Sequence, residues 1–199
     1  MNTFITAFLL SLSLIFAIGA QNAFILRQGL KKEHVFWVCL ICALSDFILI
    51  TAGVLGFGTL INKAPSLEAI MRFAGGLFLT VYGLRSLYSG FKQHNSLTPS
   101  DGPSTSRRTA ILTCLAFTWL NPHVYLDTLV LIGSFSTQYA HQQPQFIAGA
   151  LTASVTFFFS LGYGARLLRP IFAQPRAWQI LDVGIGLLML GLAYVLCFG

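Results

Sequence analysis

The chain alternates between long apolar runs and short polar breaks. Six runs are long enough to matter, at about Thr3–Leu26, His34–Ile61, Glu68–Phe91, Thr109–Phe135, Phe146–Leu168 and Trp178–Phe198. A helix needs about 20 mostly apolar residues to cross the hydrocarbon core of a bilayer. Each run meets that length, so the pattern predicts six transmembrane helices and an all-α membrane protein. The first run is not a signal peptide. No Lys or Arg precedes it, and its apolar character continues through Ala23, Phe24, Ile25 and Leu26. The stretch His94–Arg108 differs from the rest. It carries Pro99, Asp101, Gly102, Pro103 and several Ser and Thr, the composition of a flexible loop. It divides the chain into a three-helix repeat at 1–93, a loop at 94–108 and a second three-helix repeat at 109–199.

Three helices per half force the halves into opposite orientations, which is the plan of an inverted-repeat transporter. The first run of each half carries a polar interruption, Gly19-Ala20-Gln21-Asn22 in one and Asn121-Pro122-His123 in the other. Pro122 removes a backbone donor and clashes with the preceding turn. Freed backbone groups are tolerated at membrane depth only where they face protein or a watery cavity. Paired breaks at matching places are therefore the sequence's pointer to a substrate site, and a half-helix N-terminus there suits a carboxylate. The expected fold has helices 1 and 4 broken, with Gly19 and Pro122 at the breaks.

Composition agrees with the pattern. Hydrophobic residues make up 55% of the chain and charged residues 9%, against roughly 25% charged in a soluble domain. The net charge of +6 does not signal nucleic acid, because the basic residues cluster between apolar runs. Arg27, Lys31 and Lys32 form one cluster, Lys92, Arg107 and Arg108 another, and Arg166, Arg169 and Arg176 a third. This is the positive-inside pattern. It places those loops, including 94–108, in the cytoplasm and both termini in the periplasm of a bacterial inner membrane.

Three of the six acidic residues, Asp46, Asp127 and Asp182, fall inside spans. Each costs about 2.5–3.5 kcal/mol on insertion scales, so each needs a partner or a function. Asp46 shares a helix face with Cys39, Cys42, Ala43 and Gly53, all small. Asp127 lies roughly 9 Å beyond the break in helix 4. Arg85 and Asp182 fall at similar depth and are expected to pair structurally, while Arg72 is placed to reach Asp127 or Asp46. Cys39 and Cys42 form a CxxC, but only Cys114 in the other half stands as a redox counterpart. No HExxH, Walker A or nucleophile elbow is present, so the chain does not read as an enzyme. No cofactor or metal is expected, and His123 reads as a cavity-lining group.

The run Gly19-Ala20-Gln21-Asn22-Ala23-Phe24-Ile25-Leu26-Arg27-Gln28-Gly29 resembles the helix 1 signature of the LysE family of amino-acid exporters. The run Thr118-Trp119-Leu120-Asn121-Pro122-His123-Val124-Tyr125-Leu126-Asp127-Thr128 resembles its helix 4 signature. The likeness is to the branch that exports arginine and lysine. The neutral amino-acid branch typically has Gly-Pro-Asn in helix 1 and no acid at the place of Asp127. The resemblance implies outward transport of basic amino acids. The substrate-binding candidates are Gln21, Asn22, Asp46, Asn121, Tyr125 and Asp127. Amides and backbone N–H groups would hold the cargo's carboxylate and α-amino group, and Asp46 or Asp127 its cationic side chain. Export of a cation against an inside-negative potential costs about 2.3 kcal/mol per charge per 100 mV, so it needs coupling. Proton antiport meets that need, with Asp46 as the proton carrier. The other readings of the sequence are export of neutral amino acids or other small solutes, a thiol redox carrier built on Cys39 and Cys42, and a divalent-metal exporter. The expected partners are the basic amino acid, protons and the lipid bilayer, with a homo-oligomer left open.

Overall fold

A computed structural model describes residues 2–16, 19–56, 65–92, 105–168 and 170–198. All secondary structure among the described residues is helical. The first apolar run folds as two helices, α1 (Thr3–Ile15) and α2 (Ala20–Lys31), bent by 84°. Asn2 caps α1 by accepting from the Phe4 amide. Lys32, left-handed at φ 58°, ends α2 and returns its amide to the last-turn carbonyls.

α3 (Val35–Val54) is 20 residues long, or about 30 Å, one hydrocarbon thickness. It stops earlier than the sequence pattern predicts. Gly56 adopts φ +92°, a left-handed conformation that glycine takes without steric penalty and that cannot continue a helix. The remainder of the predicted second run, 57–61, lies outside the described residues, as does most of the predicted central loop. α4 (Pro65–Lys92) brackets the third run.

The fourth run is the most irregular. α5 (Arg107–Trp119) starts on a Ser106 cap and ends at the break. Beyond it come α6 (Pro122–Tyr125), a π-helical stretch at Leu126–Ile132, and α7 (Gly133–Ser136). Helical geometry does not stop at Phe135 as expected. It continues as a 3-10 turn, Thr137–Gln142, into α8 (Gln143–Gly164), with one non-helical residue at Tyr139 (φ −118°, ψ 31°). The stretch His123–Leu168 is 46 residues long. As one rod it would reach about 69 Å, more than twice the hydrocarbon core, so the kink at Tyr139 is what divides it. α9 (Pro175–Phe198) closes the chain.

Three described stretches are long and apolar enough to cross a membrane, Val35–Val54, His123–Leu168 and Arg176–Val195. A fourth is added if α1 and α2 together form one broken span. The outward faces carry Phe47, Ile48, Phe73, Leu77, Val81, Leu84, Ile180 and Leu187, all more than 45% exposed. So much exposed large apolar surface is stable in lipid and not in water.

Small residues let the helices approach closely. A methyl group added at Gly29 of α2 would strike the Gly162 carbonyl and Ala165. One added at Gly133 of α7 would sit 2.6 Å from the Gly53 carbonyl of α3. Small-residue contacts of this kind are the usual means of helix packing in membranes, where burial of apolar surface gives no net drive. α4 and α9 form the most extensive pair, and α8 packs on α1, α2 and α3.

Candidate functional site

The site is built from the two breaks. In an unbroken helix the His123 amide would donate to the Trp119 carbonyl. Here it donates to Asn121 Oδ1 at 3.1 Å, so Asn121 caps the new half-helix. That leaves the Trp119 carbonyl open, and the Tyr125 hydroxyl donates to it at 2.9 Å. The first break is repaired in the same way. The amide of Asn22 donates from Nδ2 to the Ile15 carbonyl at 2.9 Å. In each break, a side chain from the second half-helix satisfies a carbonyl at the end of the first. Tyr125 therefore bonds to the backbone in this conformation, which its place in the motif did not reveal. The N-terminus of α2 differs from that of α6. Gly19 is its cap residue and makes no side-chain cap hydrogen bond, and the first turn is the positive end of the helix dipole.

The breaks touch each other. The Thr118 hydroxyl donates to Gln21 Oε1 at 3.0 Å, sharing its proton with its own helix at Cys114 O, 3.1 Å away. The next residue, Trp119, donates from Nε1 to Ser45 Oγ at 3.2 Å. Beside Ser45, Asp46 accepts from the Ser154 hydroxyl of α8 at 2.7 Å. A line of polar groups thus runs from Gln21 and Thr118 through Trp119 and Ser45 to Asp46. It is hydrogen-bonded from Thr118 to Gln21 and from Trp119 to Ser45, and joined elsewhere by adjacency in the chain. The Asp46 carboxylate is 4% exposed. Ser45 and Ser154 are the members of this line that sequence reasoning missed. Their only signal is that each is a hydroxyl inside a strongly apolar run.

Asp127 stands apart from the line. It sits on the π-helical stretch, half-buried, with His123 one turn earlier in the chain. Asp182 is paired, but not with Arg85. Its partner is Arg27 of α2, with Nη2 3.2 Å from Oδ1, while Arg85 is exposed. Similar depth along two helices did not fix which face Arg85 presents, and α2 brings Arg27 to α9 instead. The Arg72 side chain lies outside the described residues.

The three buried cysteines are free thiols. Cys42 and Cys114 approach to 3.1 Å between sulfurs, and Cys39 donates to the Phe158 carbonyl. Among the described residues no three His, Cys, Asp or Glu side chains converge where they would hold a metal ion.

A helical membrane protein with paired, mutually bonded helix breaks and a buried carboxylate beside them has the features of a translocator. The chain matches the LysE type translocator family over residues 12–199 and belongs to it. It is 42% identical over 179 residues to a protein of Mycobacterium tuberculosis described as a candidate amino-acid transporter, covering 90% of this chain and 89% of the relative. It is 39% identical over 186 residues to the arginine exporter protein ArgO of Pectobacterium atrosepticum, covering 93% and 91%. It is also 39% identical over 194 residues to the ArgO protein of Yersinia enterocolitica, covering 97% and 95%. No solved structure matches the chain.

Proposed function

We propose that this protein exports basic L-amino acids, arginine above all and lysine with it, across the bacterial inner membrane in exchange for protons. The observation that carries the reading is the polar line from Gln21 through Thr118, Trp119 and Ser45 to Asp46. It brings a half-helix N-terminus with glycine at its cap, fit for a carboxylate, toward a buried acid, fit for a cation or a proton. The names of the arginine-exporting relatives support the same cargo.

In this mechanism the cargo's carboxylate binds at the N–H groups that follow Gly19. Gln21, Asn22 and Asn121 exchange their present partners for its polar groups. Its side chain is drawn by Asp46 or Asp127. Proton and cation compete for Asp46, so release of one accompanies binding of the other. One-for-one exchange moves no net charge and draws on the pH gradient, which removes the cost of working against the membrane potential.

The architecture proposed for this mechanism has six spans in two inverted repeats, 1–93 and 109–199, joined by a cytoplasmic loop, with both termini periplasmic. The glycine contacts support it. Gly29 of the first broken run meets the fifth run at Gly162, and Gly133 of the second broken run meets the second run at Gly53. An inverted repeat that exchanges runs 1 and 4, and 2 and 5, turns one contact into the other.

The test uses reconstituted vesicles loaded with arginine, lysine or a neutral amino acid under an imposed pH gradient. Arginine should leave fastest and carry protons the other way. Equal movement of the neutral amino acid, or arginine movement indifferent to the gradient, would overturn the cargo or the coupling respectively.

A further inference from the structure

Asp182 is more deeply buried than Asp46, at 1% exposed. Ser89 donates to its Oδ2 at 3.0 Å, and Ser86 donates to its backbone carbonyl at 2.9 Å. The other carboxylate oxygen, Oδ1, faces Arg27 Nη2 at 3.2 Å yet receives no aligned hydrogen bond. A guanidinium that fits a carboxylate does so with two parallel N–H donations. Arg27 does not fit in that way. Arg27 also lies near the Tyr82 hydroxyl, as Arg85 does, and Lys31 is a further cation near Asp182. Charge holds the Arg27–Asp182 contact, and a buried acceptor is left for a better-presented cation.

The position of this contact is as informative as its geometry. Arg27 lies eight residues beyond Gly19 on the half-helix that carries the first break, about 12 Å along its axis. Between them is an aromatic cluster. Phe24 packs at 5.4 Å from Phe117 and 6.3 Å from Tyr82, and Tyr82 at 4.9 Å from Phe117. Phe117 immediately precedes Thr118 of the polar line. Tyr82 thus has its ring in the cluster beside Thr118, with Arg27 near its hydroxyl. Aromatic faces of this kind attract a passing cation.

We propose that Asp182, with Ser89, is a binding station for a guanidinium or primary ammonium group. Arg27 occupies it in this conformation as a tethered placeholder, and a basic amino acid displaces Arg27 there before passing the aromatic cluster to reach the breaks. The role in transport rests on the reading of the cargo as a basic amino acid, whereas the affinity of the station for cations stands independently of it.

The experiment is thermal unfolding of the purified full chain in millimolar guanidinium or methylammonium chloride, with tetramethylammonium chloride at equal ionic strength as control. Arg27→Ala vacates the station, so guanidinium should raise its melting temperature by about 3 °C or more through binding to the folded state. Wild type, with the station filled, should show no such rise, and neither should the double variant with Asp182→Asn. A folded Arg27→Ala protein indifferent to guanidinium, or a rise that survives Asp182→Asn, overturns the proposal. If Arg27→Ala does not fold, Arg27→Lys in arginine-loaded vesicles decides. A shorter, non-planar placeholder should lower KM for arginine about threefold at unchanged kcat, and an unchanged KM overturns the proposal. Wild-type vesicles that move no basic amino acid would sink the cargo reading alone, and the guanidinium titration would still decide the station.

Discussion

Thr118 and Gln21, 97 positions apart in the chain, are joined by a hydrogen bond of 3.0 Å that ties one helix break to the other. The bond sets the distance between the half-helix N-terminus after Gly19 and the break at Pro122. A cargo held at both breaks is therefore held by one rigid frame. Thr118→Val keeps the shape and removes the hydroxyl. Loss of a buried hydrogen bond of this kind costs about 1–3 kcal/mol. Efflux from arginine-loaded vesicles should show KM raised about five- to tenfold, with the melting temperature lowered by a few degrees, about 2–4 °C per kcal/mol lost.

Tyr125 and Asn22 do equivalent work at the two breaks. Tyr125→Phe leaves the Trp119 carbonyl without its donor, and Asn22→Leu does the same to Ile15. Each should lower stability by about 1–3 kcal/mol, the cost of an orphaned buried acceptor. Thermal unfolding in detergent measures this directly. A role confined to substrate binding would instead raise KM and leave the unfolding curve in place.

Asp46 accepts from Ser154 and is buried, 4% exposed. Asp46→Asn keeps an acceptor for Ser154 but binds no exchangeable proton at working pH. Arginine efflux driven by a pH gradient should fall to the level of empty vesicles. Efflux that continues, still responding to external acid, would move the coupling role to another group.

The glycine contacts give a prediction about folding alone. Gly133→Leu and Gly29→Val place side chains against carbonyls of Gly53 and Gly162 that a methyl already contacts too closely. Overpacking commonly costs 1–3 kcal/mol, roughly, and more where backbone must move. Both variants should reach the membrane in sharply reduced amounts, measured by fluorescence of a fused reporter. Gly191→Ala, where an added methyl meets nothing within 4 Å, is the matched control.

The cysteines test the redox alternative. Replacing Cys39, Cys42 and Cys114 together by Ala removes the close thiol pair and every buried thiol. Arginine efflux should be retained within about twofold, because the proposed chemistry uses none of them and volume changes at packed positions are small. Abolished transport by a folded variant would return the CxxC to consideration.

Much of the protein was legible in its sequence because hydrocarbon imposes one-dimensional rules. A span must be apolar for about 20 residues, and a backbone break inside it must be repaired. So the apolar runs, the breaks at Gly19 and Pro122, and the rarity of Asp46, Asp127 and Asp182 could all be read along the chain. The family motifs lie on those same breaks. What the chain could not state is which side chain repairs which carbonyl, and which face of each helix meets which neighbour. Depth suggested Arg85 for Asp182, but the rotation of α4 leaves Arg85 exposed and the bend at Gly19 brings Arg27 there instead. Tyr125 belonged to a motif, and only the geometry of the break turned its hydroxyl onto Trp119. Ser45 and Ser154 carried no signal beyond being polar, since a hydroxyl in a membrane helix can bond to its own backbone. Tertiary structure decided their role, because a hydrogen bond between helices depends on rotation and contact, and neither is encoded in how apolar a segment is.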